Sequence, residues 1–107
     1  MPRYLGRVSY TSDAVKAMVS NPQDRSKAAA EAAESLGAKL EGFWFAFGEF
    51  DVVFVMEAPD NATAAALAMS IGAGGALSKV ETTVLLDGEE AQEAMRKAGK
   101  ATYRPPS

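Results

Sequence analysis

The side chains best suited to chemistry in this sequence are the carboxylates Asp51, Glu57 and Glu81, the guanidinium of Arg7 and the phenols of Tyr4 and Tyr10. Asp51 and Glu57 bracket an apolar run, Val52 to Met56. A carboxylate held there could act as a general base. Arg7 or a tyrosine hydroxyl could then stabilise negative charge developing on a substrate. These three, Asp51, Glu57 and Arg7, are the candidate catalytic residues. Each also has a structural reading. Asp51 beside Gly48 can bond to backbone amides of a turn. Arg7, Glu57 and Glu81 can be ion pairs that fix the register of an interface.

The candidate ligand contacts are Tyr4, Tyr10, Trp44, Phe50 and Glu81. The aromatic cluster Phe43, Trp44, Phe45 and Phe47 could line an apolar cavity, or could belong to a core or an interface. The sequence contains no Cys and no His. That removes disulfides, thiolate nucleophiles, Ser-His-Asp and Cys-His catalysis, and thiolate or imidazole metal sites. Nothing in the spacing of Asp51, Glu57 and Glu81 selects an all-oxygen metal site. No metal and no cofactor are therefore expected. The glycines Gly72, Gly74 and Gly75 follow a helix and precede a strand. A dinucleotide-binding loop has the opposite order, so they read as a helix stop.

The elements that position these residues are legible from pattern. With 107 residues, 48% of them hydrophobic and 23% charged, the chain suits one globular domain, placed at 1–99 with a flexible tail at 100–107. A net charge of −3 and no clustered basic residues point away from nucleic acid and anionic lipid. Met1 to Tyr10 has no apolar core of a signal peptide, and Phe43 to Ala58 is too short and too charged to span a bilayer. A cytoplasmic location follows as an expectation.

Tyr4 to Tyr10 alternates as a strand, and Thr11 or Ser12 caps a helix carrying Val15, Met18 and Val19. Asn21-Pro22 interrupts that helix. Asn21 is expected to cap a second piece with Pro22 at its first position, running through an alanine-rich segment to Leu36 and ending at Gly37. The small alanines would let this helix lie close to a sheet. Leu40 to Phe47 and Phe50 to Ala58 read as strands joined by a two-residue type II′ turn at Gly48-Glu49. Asp60 or Asn61 caps a helix over 62–71, Leu77 to Leu86 is a fourth strand, and Asp87 caps a last helix over 89–98.

The order β-α-β-β-α-β plus a C-terminal helix is that of an α+β, ferredoxin-like split βαβ unit, with antiparallel sheet order 4-1-3-2 and helices on one face. Strand alternation places Tyr4, Val8, Val52, Phe54, Met56, Val80 and Val84 under the helices. The opposite face, with Leu5, Val53, Val55 and Leu85 between charged ends, is left uncovered. An apolar sheet face without a cover implies a partner, and a two-fold homodimer with sheets packed face to face is the expected solution.

The segment Gly48-Glu-Phe-Asp-Val-Val-Phe-Val-Met-Glu-Ala-Pro-Asp60 resembles the signature of the GYD domain family. Tyr10-Thr11, Ala38 to Phe43 and Val80-Glu-Thr-Thr-Val84 support the resemblance, which spans about Tyr4 to Leu86. It implies a ferredoxin-like fold in the dimeric α/β-barrel group. That group includes small-molecule monooxygenases, isomerases, haem-dependent enzymes and ligand-binding modules of transcription regulators. Where the family carries tyrosine this chain has Phe50, so a role needing a phenol there is absent, and the lack of His argues against the haem branch. Two functions are thus expected in parallel. One is a homodimer binding a small, mostly apolar molecule, with or without cofactor-independent catalysis. The other is a non-catalytic dimerisation or ligand-sensing module acting through a protein partner.

Overall fold

A computed structural model describes residues 1–107. Four strands, β1 (Arg3–Tyr10), β2 (Lys39–Phe45), β3 (Val52–Glu57) and β4 (Leu77–Leu85), form one antiparallel sheet in the order β2-β3-β1-β4. This is the expected ferredoxin-like order read from the other edge. β1 pairs with β3 from Arg3↔Glu57 to Val8↔Val52, and with β4 from Arg3↔Leu85 to Tyr10↔Leu77, with an irregularity at Ser9/Tyr10.

Four helices accompany the sheet: α1 (Ser12–Ser20), α2 (Ser26–Ser35), α3 (Asn61–Ala73) and α4 (Gly88–Gly99). Three start at side-chain caps. Thr11, Asp60 and Asp87 accept hydrogen bonds from the backbone N–H groups of Ala14, Thr63 and Glu90. Each satisfies a donor that the helix itself cannot pair. α2 ends at Gly37, whose φ of 77° is the left-handed geometry that glycine reaches without strain. There Ala38 N–H donates to the carbonyl of Ala33 and Gly37 N–H to that of Glu34, which closes the helix C-terminus.

Two local expectations are corrected. Asn21 does not cap α2. It terminates α1, donating its N–H to Ala17, and α2 begins only at Ser26 after an irregular stretch. Proline can start a helix, but the chain must first change direction between the two pieces, and Asn21-Pro22 serves that bend. The second is the hairpin. Gly48 has no positive φ, so no type II′ turn forms. β2 stops at Phe45 and β3 starts at Val52, and the wider loop is closed by Ala46 N–H donating to the Asp51 carbonyl at 2.8 Å. Phe50, instead of extending β3, folds back and is buried.

The core lies between the sheet and the helices. Tyr4, Val8, Val52, Phe54, Met56 and Ala58 from the strands meet Ala33, Ala64 and Leu67 from α2 and α3. Val80 and Val84 pair with Val8 and Tyr4 and so share the core face. They are nevertheless 37% and 49% exposed, although the end of α3 reaches Val80, where a Cβ added to Gly72 would fall 3.8 Å from its Cγ2. At the centre, the Phe54 ring lies flat over Gly6, where an added Cβ would fall 2.0 Å from the ring Cζ.

Candidate functional site: an apolar cavity on the helix side of the sheet

A cavity of about 470 Å³ opens between the sheet and α1, α2 and α3, and sixteen of its twenty lining residues are hydrophobic. Its floor is Val8, Val52 and Phe54 from the central strands, and α3 contributes Leu67 and Ile71. The alanines of α2 divide by helical spacing. Ala33 packs against the core and is fully buried, whereas Ala28, Ala29 and Ala32 line the cavity. Small side chains were expected to permit close approach of helix and sheet. At three positions they leave volume instead.

The polar lining is Tyr10, Gln23, Arg25 and Ser70. Burial is the main cause holding the Tyr10 phenol above its ordinary value of 10.0. Arg25 pulls it down and Asp51 pushes it up. At neutral pH the group is therefore an O–H donor. Arg25 donates to Gln23 Oε1 at 3.0 Å, a bond that spans only two residues, and forms no ion pair with a carboxylate.

The candidate residues from the sequence are distributed over three places. Tyr10 is in the cavity wall. Asp51 lies behind it as a backbone clamp. Its Oδ2 accepts from Tyr10 N–H at 2.8 Å, and its own N–H donates to the Val8 carbonyl at 2.8 Å. The bond goes to β1 rather than to amides of its own turn, and it holds β1 where the pairing becomes irregular. Tyr4 is 1% exposed in the core, with its hydroxyl donating to Asn61 Oδ1 at 2.6 Å. That bond ties β1 to the first turn of α3 and satisfies a buried donor.

Arg7, Phe50, Glu57, Glu81 and Trp44 lie outside the cavity lining. Arg7 is paired with Glu81, and its guanidinium stands 4.6 Å over the centre of the Phe50 ring. Lys79 Nζ is 5.3 Å from the same ring, so Phe50 serves two cations. Arg7 Nε is buried with no partner. Glu57 pairs with Arg3 at 3.4 Å at the far end of β3, and Arg3 also binds Glu41 at 2.8 Å. Trp44 is 58% exposed and lies across Gly42, where a Cβ would fall 2.3 Å from its ring. No three carboxylates converge on a point that could hold a metal ion.

The sheet face away from the helices carries Leu5, Val53, Val55 and Leu85, half-buried, with Trp44 beside Val53. Arg3 and Glu57 stand at one end of it and Arg7 and Glu81 at the other. The loop after β2 reaches the Arg7 end of this face, where Phe50 meets Arg7 and Lys79 and Ser9 Oγ donates to the Glu49 carbonyl at 3.0 Å, and the apolar middle is left open.

Gln23, Arg25 and Ser70 were not among the expected site residues. The only sequence signal for them was indirect. Ala28, Ala29 and Ala32 recur at helical spacing and form a stripe too small to fill the space above Val8, Val52 and Phe54. No helix is long and apolar enough to cross a membrane.

No curated protein matches the sequence. Among solved structures, one described as the crystal structure of FFRP-DM1 is similar over 80% of this chain and 100% of that chain, with a TM-score of 0.51 at 9% identity. That likeness is one of fold. The family model for the GYD domain matches residues 4–95. The match runs from the first core tyrosine through the loop that carries Gly48 and Asp51 to the last helix, and on that extent the chain belongs to the GYD domain family.

Proposed function

We propose that this protein is a cytoplasmic homodimer that binds a small, mostly apolar molecule between the sheet and the helices of each protomer. The observation that carries this reading is the cavity. Its volume falls in the range of small-molecule sites, and such sites are apolar with a few placed polar groups. Binding is favoured over turnover because the wall contains no carboxylate. Asp51 spends its side chain on a backbone amide, and Glu57 and Arg7 are engaged in ion pairs away from the cavity. The dimer reading rests on the uncovered apolar sheet face, whose charged ends suit a self-complementary contact about a two-fold axis.

Native mass spectrometry of gently purified full-length protein tests both parts. The expected spectrum is a dimer carrying a reproducible extra mass that disappears in Ala29→Trp, a variant that fills the cavity. A monomer would refute the face-to-face assembly. Identical ligand retention by Ala29→Trp would refute the cavity as the site.

A further inference from the structure

We propose that the ligand of this cavity is an apolar monocarboxylic acid, its carboxylate held by Arg25 and Tyr10 and its hydrocarbon part lying against Phe54, Leu67 and Ile71. The inference rests on the cavity being the binding site and adds the chemical class of its occupant.

Three observations on the wall carry it. The first is polarity. Apart from Gln23 and Ser70, the polar lining is one guanidinium and one phenol, and both offer donors. The second is the state of the cation. Arg25 is the only charged residue in the lining, and no carboxylate within ion-pair distance answers it. Its one protein partner is the neutral amide oxygen of Gln23. Elsewhere in the chain Arg3, Arg7 and Arg96 each hold a glutamate, and Arg104, which also has no ion pair, lies in the exposed tail and lines no part of the cavity. The third is proximity. The Arg25 charge acts on the Tyr10 hydroxyl, which stays protonated at neutral pH and can donate beside it.

The class of anion follows from counting charges. A guanidinium presents a planar fork that matches a carboxylate with two parallel bonds. One cation and one neutral donor balance a single negative charge. A phosphate dianion would leave a charge unmatched near Asp51, whose field already reaches this end of the cavity. The remainder of the wall is hydrocarbon, so the rest of the ligand must be too.

The test uses the full-length dimer and two probes with equal chains, octanoate and 1-octanol, titrated by calorimetry at neutral pH. Octanoate is expected to bind at least about tenfold more tightly than octanol, the scale of a charge-assisted hydrogen bond. Arg25→Gln is expected to remove that preference by weakening octanoate at least about tenfold and octanol by much less. Tyr10→Phe should weaken octanoate more than octanol. Arg25 is exposed, so its replacement leaves the core intact. Equal affinities for the two probes, or an octanoate preference that survives Arg25→Gln, would overturn the carboxylate assignment while the cavity reading stood. Absence of binding by either probe, with Ala29→Trp indistinguishable from wild type, would overturn both.

Discussion

At the scale of single residues, the chain uses its polar groups mainly to join strands to each other and to helices. Asp51 clamps β1, Tyr4 ties β1 to α3, and Arg7 sits over Phe50. Two predictions belong here. Gly6→Ala forces a methyl into the Phe54 ring, and neither the strand nor the buried ring can move freely. It is expected to lower stability by about 1–3 kcal/mol in urea denaturation, as overpacking does. Adding Phe54→Leu should recover part of that loss. The second concerns Tyr10. Followed by ultraviolet absorbance, its phenol should ionise above 10.0, and Arg25→Gln should raise it further by removing the charge that pulls it down. Because the folded value lies above the unfolded one, this contribution to stability is complete below pH 10. It is lost as pH rises through the folded value.

At the scale of elements, helix ends decide the architecture as much as helix interiors do. α3 starts at Asp60, whose Oδ1 accepts from both the N–H and the Oγ1 hydroxyl of Thr63 at 2.8 and 2.7 Å. Those bonds lower the Asp60 pKa below its ordinary 3.8. The sign is that of a depressed carboxylate. The stabilisation is full above pH 3.8 and is lost as pH falls through the lower folded value. Thermal melts across the acid range should therefore show a drop that Asp60→Ala lacks, starting from a lower Tm. α4 behaves differently. It is well capped, with Glu89 and Glu90 in its first turn and Arg96 and Lys97 in its last, in accord with the helix dipole. Yet it buries no residue, and a helix of twelve residues is marginal on its own. Its amides are expected to exchange hydrogen far faster than those of β1 and β3. Equal protection would mean that a partner covers it.

At the scale of the whole molecule, the protomer is less compact than its length requires. Its radius of gyration is 17.1 Å, against roughly 13 Å for a compact chain of this size. The projecting α4, the part-exposed Val80 and Val84, and the open sheet face all leave apolar surface in water. Val55→Lys places a charge in the middle of that face without touching the core. It is expected to convert a sedimenting dimer to a folded monomer with an unchanged circular dichroism spectrum. A wild-type protein that sediments as a monomer would leave the open face without its proposed partner.

The sheet order was legible from the β-α-β-β-α-β succession, and the caps, to within one residue at Thr11 and Asp60, and the division of β3 into a buried and an open set were legible because each depends on neighbours a few residues away. Alternation along a strand and a side chain reaching back three residues are local facts. The loop after Phe45 was misread for a related reason. Gly48-Glu49 satisfies the rule for a tight turn, but the burial of Phe50 and the bond from Asp51 to Tyr10 hold the chain in a wider path. The cavity was beyond local reading altogether. It exists because alanines on α2 face large residues on strands far away in sequence, and because a bend at Asn21-Pro22 carries Arg25 to its mouth. Sequence pattern determined which faces are apolar. Only the packing of helix against sheet decided where those faces fail to meet, and the proposed binding site is that gap.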